Sequence, residues 1–148
     1  SNKQSEYFQN LFSRTLGLEI RIDKQIFKQR LEKMTSGDFD MVMAGWGPDY
    51  ADPLTYADLI ASWNGNNRGH YDNPALDAQV AIAQSSLDQQ TRMEAFAEIQ
   101  RILIEDAAQI YNYERGIVYV QVPELRGVIH RQINPDPDYT YAWLEAVD

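Results

Sequence analysis

The apolar positions of this chain fall into short periodic runs divided by turn residues. In residues 5–16, Tyr7, Phe8, Leu11, Phe12 and Leu16 recur at helical spacing, with Ser5 as N-cap and Gly17 as the stop. Leu18, Ile20 and Ile22 then alternate with Glu19 and Arg21, the pattern of a half-buried strand. Asp23 is placed to cap a helix over Lys24 to Thr35, with Ile26, Phe27, Leu31 and Met34 inward and Gly37 ending it. The run FDMVMAG, 39–45, is short, apolar and bounded by turn residues, which predicts a central strand. Pro53 opens a short helix over 53–62, and WNGNNRGHYDN reads as a polar loop. Asn73 as N-cap and Pro74 at the first helical position start the next helix. The strongest helix runs from Asp88 to Ala108, with Met93, Phe96, Ala97, Ile99, Leu103, Ile104 and Ala107 on its apolar face. Residues 109–122 are rich in β-branched and aromatic side chains and read as an extended ribbon kinked near Gly116. The tail begins as loop and predicts a short strand over Tyr139 to Leu144.

Helices alternating with strands at short spacing predict an α/β fold with right-handed crossovers and a mainly parallel sheet. The length of 148 residues suits one domain with a real core. A net charge of −9 without any basic run argues against nucleic acid and against an anionic membrane surface as partners. The absence of cysteine removes disulfides, thiolate metal sites and a cysteine nucleophile. No apolar run approaches the roughly 18 residues of a membrane span, and no signal peptide is evident. The opening SNK, without an initiator Met, reads as the start of a processed chain or a cloned fragment.

Enzyme machinery is not legible. There is no G-x-S-x-G, no P-loop, no G-x-G-x-x-G and no H-E-x-x-H. His70 and His130 lie 60 positions apart and read as surface residues, and the Glu94, Glu98, Arg101, Glu105 series reads as a solvated helix face. The stretch GDFDMVMAGWGPDYADP is more informative. It sets Trp46 and Asp49 three residues apart, just past the end of an expected strand. In parallel α/β sheets that is where ligands bind. A carboxylate beside an indole suits a cationic group, through charge-assisted hydrogen bonds and cation–π attraction. The same residues also fit ordinary turn chemistry and a core tryptophan.

Two motifs, W-x-x-D-Y-x-D-P (46–53) and N-N-x-x-H-Y-x-N-P-x-L-D (66–77), stand in this order. A long amphipathic helix and AQIYNYERGIVYVQVPELRGV follow them. Together they resemble the carboxyl-terminal part of the bacterial family 5 solute-binding proteins of the oligopeptide, dipeptide and nickel type, the extracytoplasmic receptors of ABC importers. The resemblance covers nearly the whole chain. It implies a fragment of the second lobe of a two-lobed receptor of the class II periplasmic-binding-protein type, with 110–148 returning towards the other lobe. It also implies a non-catalytic protein without cofactor or metal, in the periplasm or lipid-anchored outside the cell membrane, with peptide and permease subunits as partners. Carried over from peptide-binding members, Asp49 would pair with the peptide's α-amino group, with Trp46 in the pocket wall. Backbone groups of Ala44, Gly45, Trp46 and Gly47 would pair with the extended peptide.

Departures from the family pattern keep other readings open. Some short-peptide members carry arginines before the Trp to hold the peptide carboxylate; here Met34, Met41, Val42 and Met43 occupy that region. Family members are several times longer, so an unpaired sheet edge could drive dimerisation of the fragment. The alternatives are the same fold binding a nickel chelate or an oligosaccharide, or a different class, a small α/β enzyme or a protein-interaction domain. Asn66 and His70 could rim a cleft, although Asn66, Asn67 and His70 also fit loop fixation through side chain–backbone hydrogen bonds. Trp63 reads as core or interface, and Tyr111, Tyr113 and Tyr119 as sheet packing.

Overall fold

A computed structural model describes residues 2–131, 133 and 136–146. It divides into two compact units. The first comprises Ser1–Gly45 with Arg68–His70. The second comprises Trp46–Asn67 with Tyr71–Asp148.

In the first unit, helix α1 spans Asn2–Leu16 and α2 spans Phe27–Ser36. In α1, Phe8 and Phe12 are half-buried, with ring centroids 5.9 Å apart. Tyr7 and Leu16 stay exposed. Helix α2 starts later than expected. Asp23 does not cap it; its carboxylate instead accepts from Lys33 Nζ at 2.8 Å and Gln25 Nε2 at 2.6 Å. The Lys33 ammonium and the Gln25 amide hold the Asp23 pKa below its ordinary value. Ile26 at the N-cap and Phe27, the first residue of the helix, are exposed, while Met34 is buried. Gly37 ends α2 in the left-handed conformation at φ 74°, its N–H donating to the Lys33 carbonyl.

The second unit carries the main core. Helices α4 (Pro74–Ser85) and α5 (Gln89–Glu105) pack on each other and on the short α3 (Leu54–Ala57), which continues into a 3-10 turn over Asp58–Ile60. Both long helices are capped by side chains, α4 by the expected Asn73 and α5 by Asp88, which the sequence pattern places as the first residue of the helix. Asn73 Oδ1 accepts from Ala75 N at 2.9 Å and Leu76 N at 3.4 Å, and Asp88 Oδ2 accepts from Thr91 N at 2.7 Å. Leu76, Val80 and Ala83 of α4 meet Ala95, Phe96, Ile99, Ile102 and Leu103 of α5 in one cluster. The buried face of α5 is rotated from the expected one. Ala95 and Ile102 are inside, whereas Met93 and Ile104 are 54% and 71% exposed. On the outer face Arg101 pairs with Glu98 and Glu105, as the solvated-face reading expects.

The strand expectations fare differently. The only ladder among the described residues is antiparallel, β1 (Leu125–Arg126) with β2 (Trp143–Leu144), extended by an Ile129–Asp138 bridge. The expected strand over 139–144 is thus formed only at its end, and residues 134, 135, 147 and 148 of the tail lie outside the described residues. Residues 18–22 and 39–45 form no ladder. A strand exists only against a partner, and no partner for either segment occurs among the described residues. The expected mainly parallel sheet is therefore not formed among the described residues. Residues 109–122 are likewise unladdered, and Tyr111, Tyr113 and Val118 are exposed rather than packed in a sheet.

Candidate functional site

The turn after Trp46 is built by a buried hydroxyl and one ion pair. Thr55, the buried polar residue of α3 at 5% exposure, accepts the Asp49 N–H on its Oγ1 at 3.1 Å. Its own N–H donates to the Asp52 carbonyl at 3.2 Å. The Asp52 carboxylate accepts the Leu54 N–H at 2.9 Å, an Asx turn that starts α3. Arg92 Nη2 on α5 donates to both oxygens of the same carboxylate, at 2.8 and 2.7 Å. Arg92 is fixed in turn by Nε donating to the Ala83 carbonyl at 2.9 Å, and its guanidinium lies 5.4 Å from the Phe96 ring centroid. The Leu54 N–H, followed by the Arg92 guanidinium, holds the Asp52 pKa below its ordinary value, so the carboxylate is ionised at neutral pH.

On this anchored turn the Asp49 carboxylate itself is exposed, and Trp46 is 42% exposed. The core role open to Trp46 is therefore not taken. Gly47, between them in sequence, has no positive φ and no atom within 4 Å of a would-be Cβ, so the fold does not require glycine there. The same holds for Gly45. Ala44 and Gly45 close the other unit and are exposed and extended.

The second motif is mostly structural. Asn67 closes its loop, with Nδ2 donating to the Tyr71 carbonyl at 2.7 Å and Oδ1 accepting from Tyr71 N at 3.2 Å. The Asn66 N–H donates to Asn64 Oδ1 at 2.8 Å. Tyr71 Oη and Asn73 Nδ2 both donate to Asp106 Oδ2, at 2.5 and 2.8 Å. Burial and then the Asp106 carboxylate raise the Tyr71 pKa, so the hydroxyl keeps its proton and can donate. Asp77 receives Ser62 N and Oγ. His70 is exposed at φ 50°, with its imidazole beside Gly37. Asn66 and His70 belong to different units. Trp63 is 53% exposed, against the core expectation.

Asp49 and Trp46 were singled out as candidates from their spacing. Thr55 and Arg92 were not, since Arg92 lies 40 positions from its partner. Asp52 had a local signal, an Asp directly before Pro and a short helix. Among the described residues no three His, Asp or Glu side chains converge as a metal site, and no helix is long and apolar enough to cross a membrane.

No protein-family model matches the chain. Individual proteins do. It is 29% identical over 135 residues to the periplasmic murein peptide-binding protein MppA of Escherichia coli, spanning 90% of this chain and 24% of that protein. The substrate-binding domain of an oligopeptide ABC transporter from Bacillus anthracis superposes with a TM-score of 0.87 at 30% identity, over 98% of this chain and 29% of the other. The homologues of this chain are peptide-binding proteins of the ABC-importer type. Peptide-bound OppA of Listeria monocytogenes matches at 30% identity and a TM-score of 0.80, over 99% of this chain and 28% of that one. The chain thus spans about a quarter of the curated relative's length. Its fold is that of part of a lobe of a periplasmic-binding-protein-like α/β receptor. These relatives are named as binding proteins, not as enzymes.

Proposed function

We propose that this chain is the ligand-facing part of the second lobe of an ABC-importer substrate-binding protein that captures extended peptides by their free α-amino group. The observation that carries the reading is an exposed carboxylate, Asp49, on a turn fixed from beneath by Thr55 and the Asp52–Arg92 pair. It stands three residues from an exposed indole in a chain whose homologues are peptide-binding proteins. The exposed backbone of Ala44 to Gly47 pairs with no strand among the described residues, which supports pairing with a peptide main chain. The glycines at 45 and 47, which no internal contact requires, leave room for that approach.

In this mechanism Asp49 takes the peptide ammonium in a charge-assisted pair, and Trp46 walls the site and excludes water. Closure of the receptor over the peptide dries the pair and commits the ligand. The loaded receptor works outside the cytoplasmic membrane, in the periplasm or lipid-anchored, and delivers to permease subunits. No chemistry is done on the peptide. In the full-length protein, Asp49→Ala should weaken peptide binding by about 2–5 kcal/mol, the range for truncating one partner of a desolvated charge pair. Isothermal titration checks this, and an unchanged affinity removes Asp49 from the site.

A further inference from the structure

We infer that Thr55, Asp52 and Arg92 are positioning residues for amine recognition, acting through Asp49 and never touching the ligand. The inference rests on the reading of Asp49 as the amine's partner and adds the means by which its carboxylate is aimed. An exposed carboxylate on a free turn samples many directions, and a ligand must then arrest it at an entropic cost. Here the turn has few directions left. The Asp49 N–H is tied to a hydroxyl that is almost fully buried, at 3.1 Å. The helix carrying that hydroxyl begins on the Asp52 carboxylate, through the Leu54 N–H. Both oxygens of that carboxylate accept from Arg92 Nη2 on a long core helix. The guanidinium is pinned in turn by its Nε donating to the Ala83 carbonyl of α4. The chain of contacts therefore runs from the α4–α5 core to the backbone of Asp49 with a hydrogen bond at every link.

The chemistry of each link is selective. Arg92 reaches the Asp52 carboxylate through Nη2 and the Ala83 carbonyl through Nε, two separately directed donors that the single nitrogen of a lysine does not supply together. Thr55 offers its hydroxyl oxygen where valine has the same shape and no acceptor. The other carboxylates near this part of the sequence do other work: Asp58 accepts from Asn64 and Gln84, and Asp77 from Ser62. Of the motif's two aspartates, then, Asp49 faces outward for the ligand and Asp52 inward for the scaffold.

The test uses the full-length protein and a synthetic pool of lysine-free tri- to pentapeptides, with free or acetylated amino termini. Asp49→Asn serves as the reference. Thr55→Val should weaken binding of the free pool by about 3- to 10-fold, the net worth of one hydrogen bond. It should leave residual binding of the acetylated pool unchanged, so preference for the free amine falls. Thr55→Ser, which keeps the acceptor, should restore the preference. Arg92→Lys should lower it in the same direction, and carries the comparison if Thr55→Val does not fold. If Asp49→Asn abolishes the preference while Thr55→Val and Arg92→Lys keep it at the wild-type value, the positioning role is wrong and the amine reading stands. Equal weakening of both pools by Thr55→Val also overturns positioning, since it marks a loss of structure alone. If Asp49→Asn leaves the preference intact, the amine reading falls and this inference falls with it.

Discussion

Glycine serves two different ends in this chain, and the difference separates scaffold from site. Gly127 stands at φ 74°, and a Cβ there would lie 2.3 Å from the Tyr141 carbonyl and 2.6 Å from the Trp143 ring. It is required by the β1–β2 hairpin itself. Gly127→Ala should destabilise that hairpin by about 1–3 kcal/mol, the cost of forcing a strained backbone. The check is amide exchange of Leu125 and Leu144; unchanged protection would mean that the hairpin is looser than drawn. Gly45 and Gly47 meet no such demand. The pair of aspartates shows the same division. Asp49 was readable as a candidate because its signal, a tryptophan three residues before it, is local. The role of Asp52 was not, because its partner is reached only after α3 and α4 have folded back.

At the scale of elements, what could be read was what is decided locally. The starts of α4 and α5 follow from Asn73–Pro74 and Asp88, whose side chains do cap them. On the inward face of α5, Phe96, Ile99 and Leu103 were read correctly, while Met93, Ala97, Ile104 and Ala107 were not. The periodicity of a long amphipathic helix defines a broad stripe, and only the packing of α4 selects Ala95 and Ile102 over Met93 and Ile104. Strands could be read only as extended segments, since a ladder depends on a partner that the segment itself does not encode. The α4–α5 contact is the firmest part of the second unit. Leu76, fully buried at 0% exposure, is its centre. Leu76→Ala should cost about 2–5 kcal/mol by leaving a cavity between the two helices. Urea unfolding followed by far-ultraviolet dichroism reads this directly, and a loss well below that range would show that α4 and α5 collapse to fill it.

At the scale of the whole molecule, the chain is about a quarter of a relative such as MppA, and its surface has the character of a part. Ile110, Val118 and Val120 are 77%, 88% and 94% exposed, within a ribbon that no ladder holds. Hydrogen exchange on the isolated chain should divide accordingly: slow in α4 and α5, fast in 18–22, 39–45 and 110–122. Uniform slow exchange would mean that these segments find partners, a second copy of the chain among them. The central claim concerns the ammonium and Asp49. Its most direct test is titration of the intrinsic tryptophan fluorescence of the full-length protein, first with free peptides and then with the same peptides N-acetylated. The account predicts saturable binding of the free peptides that acetylation weakens by orders of magnitude. Equal binding of both forms would contradict it.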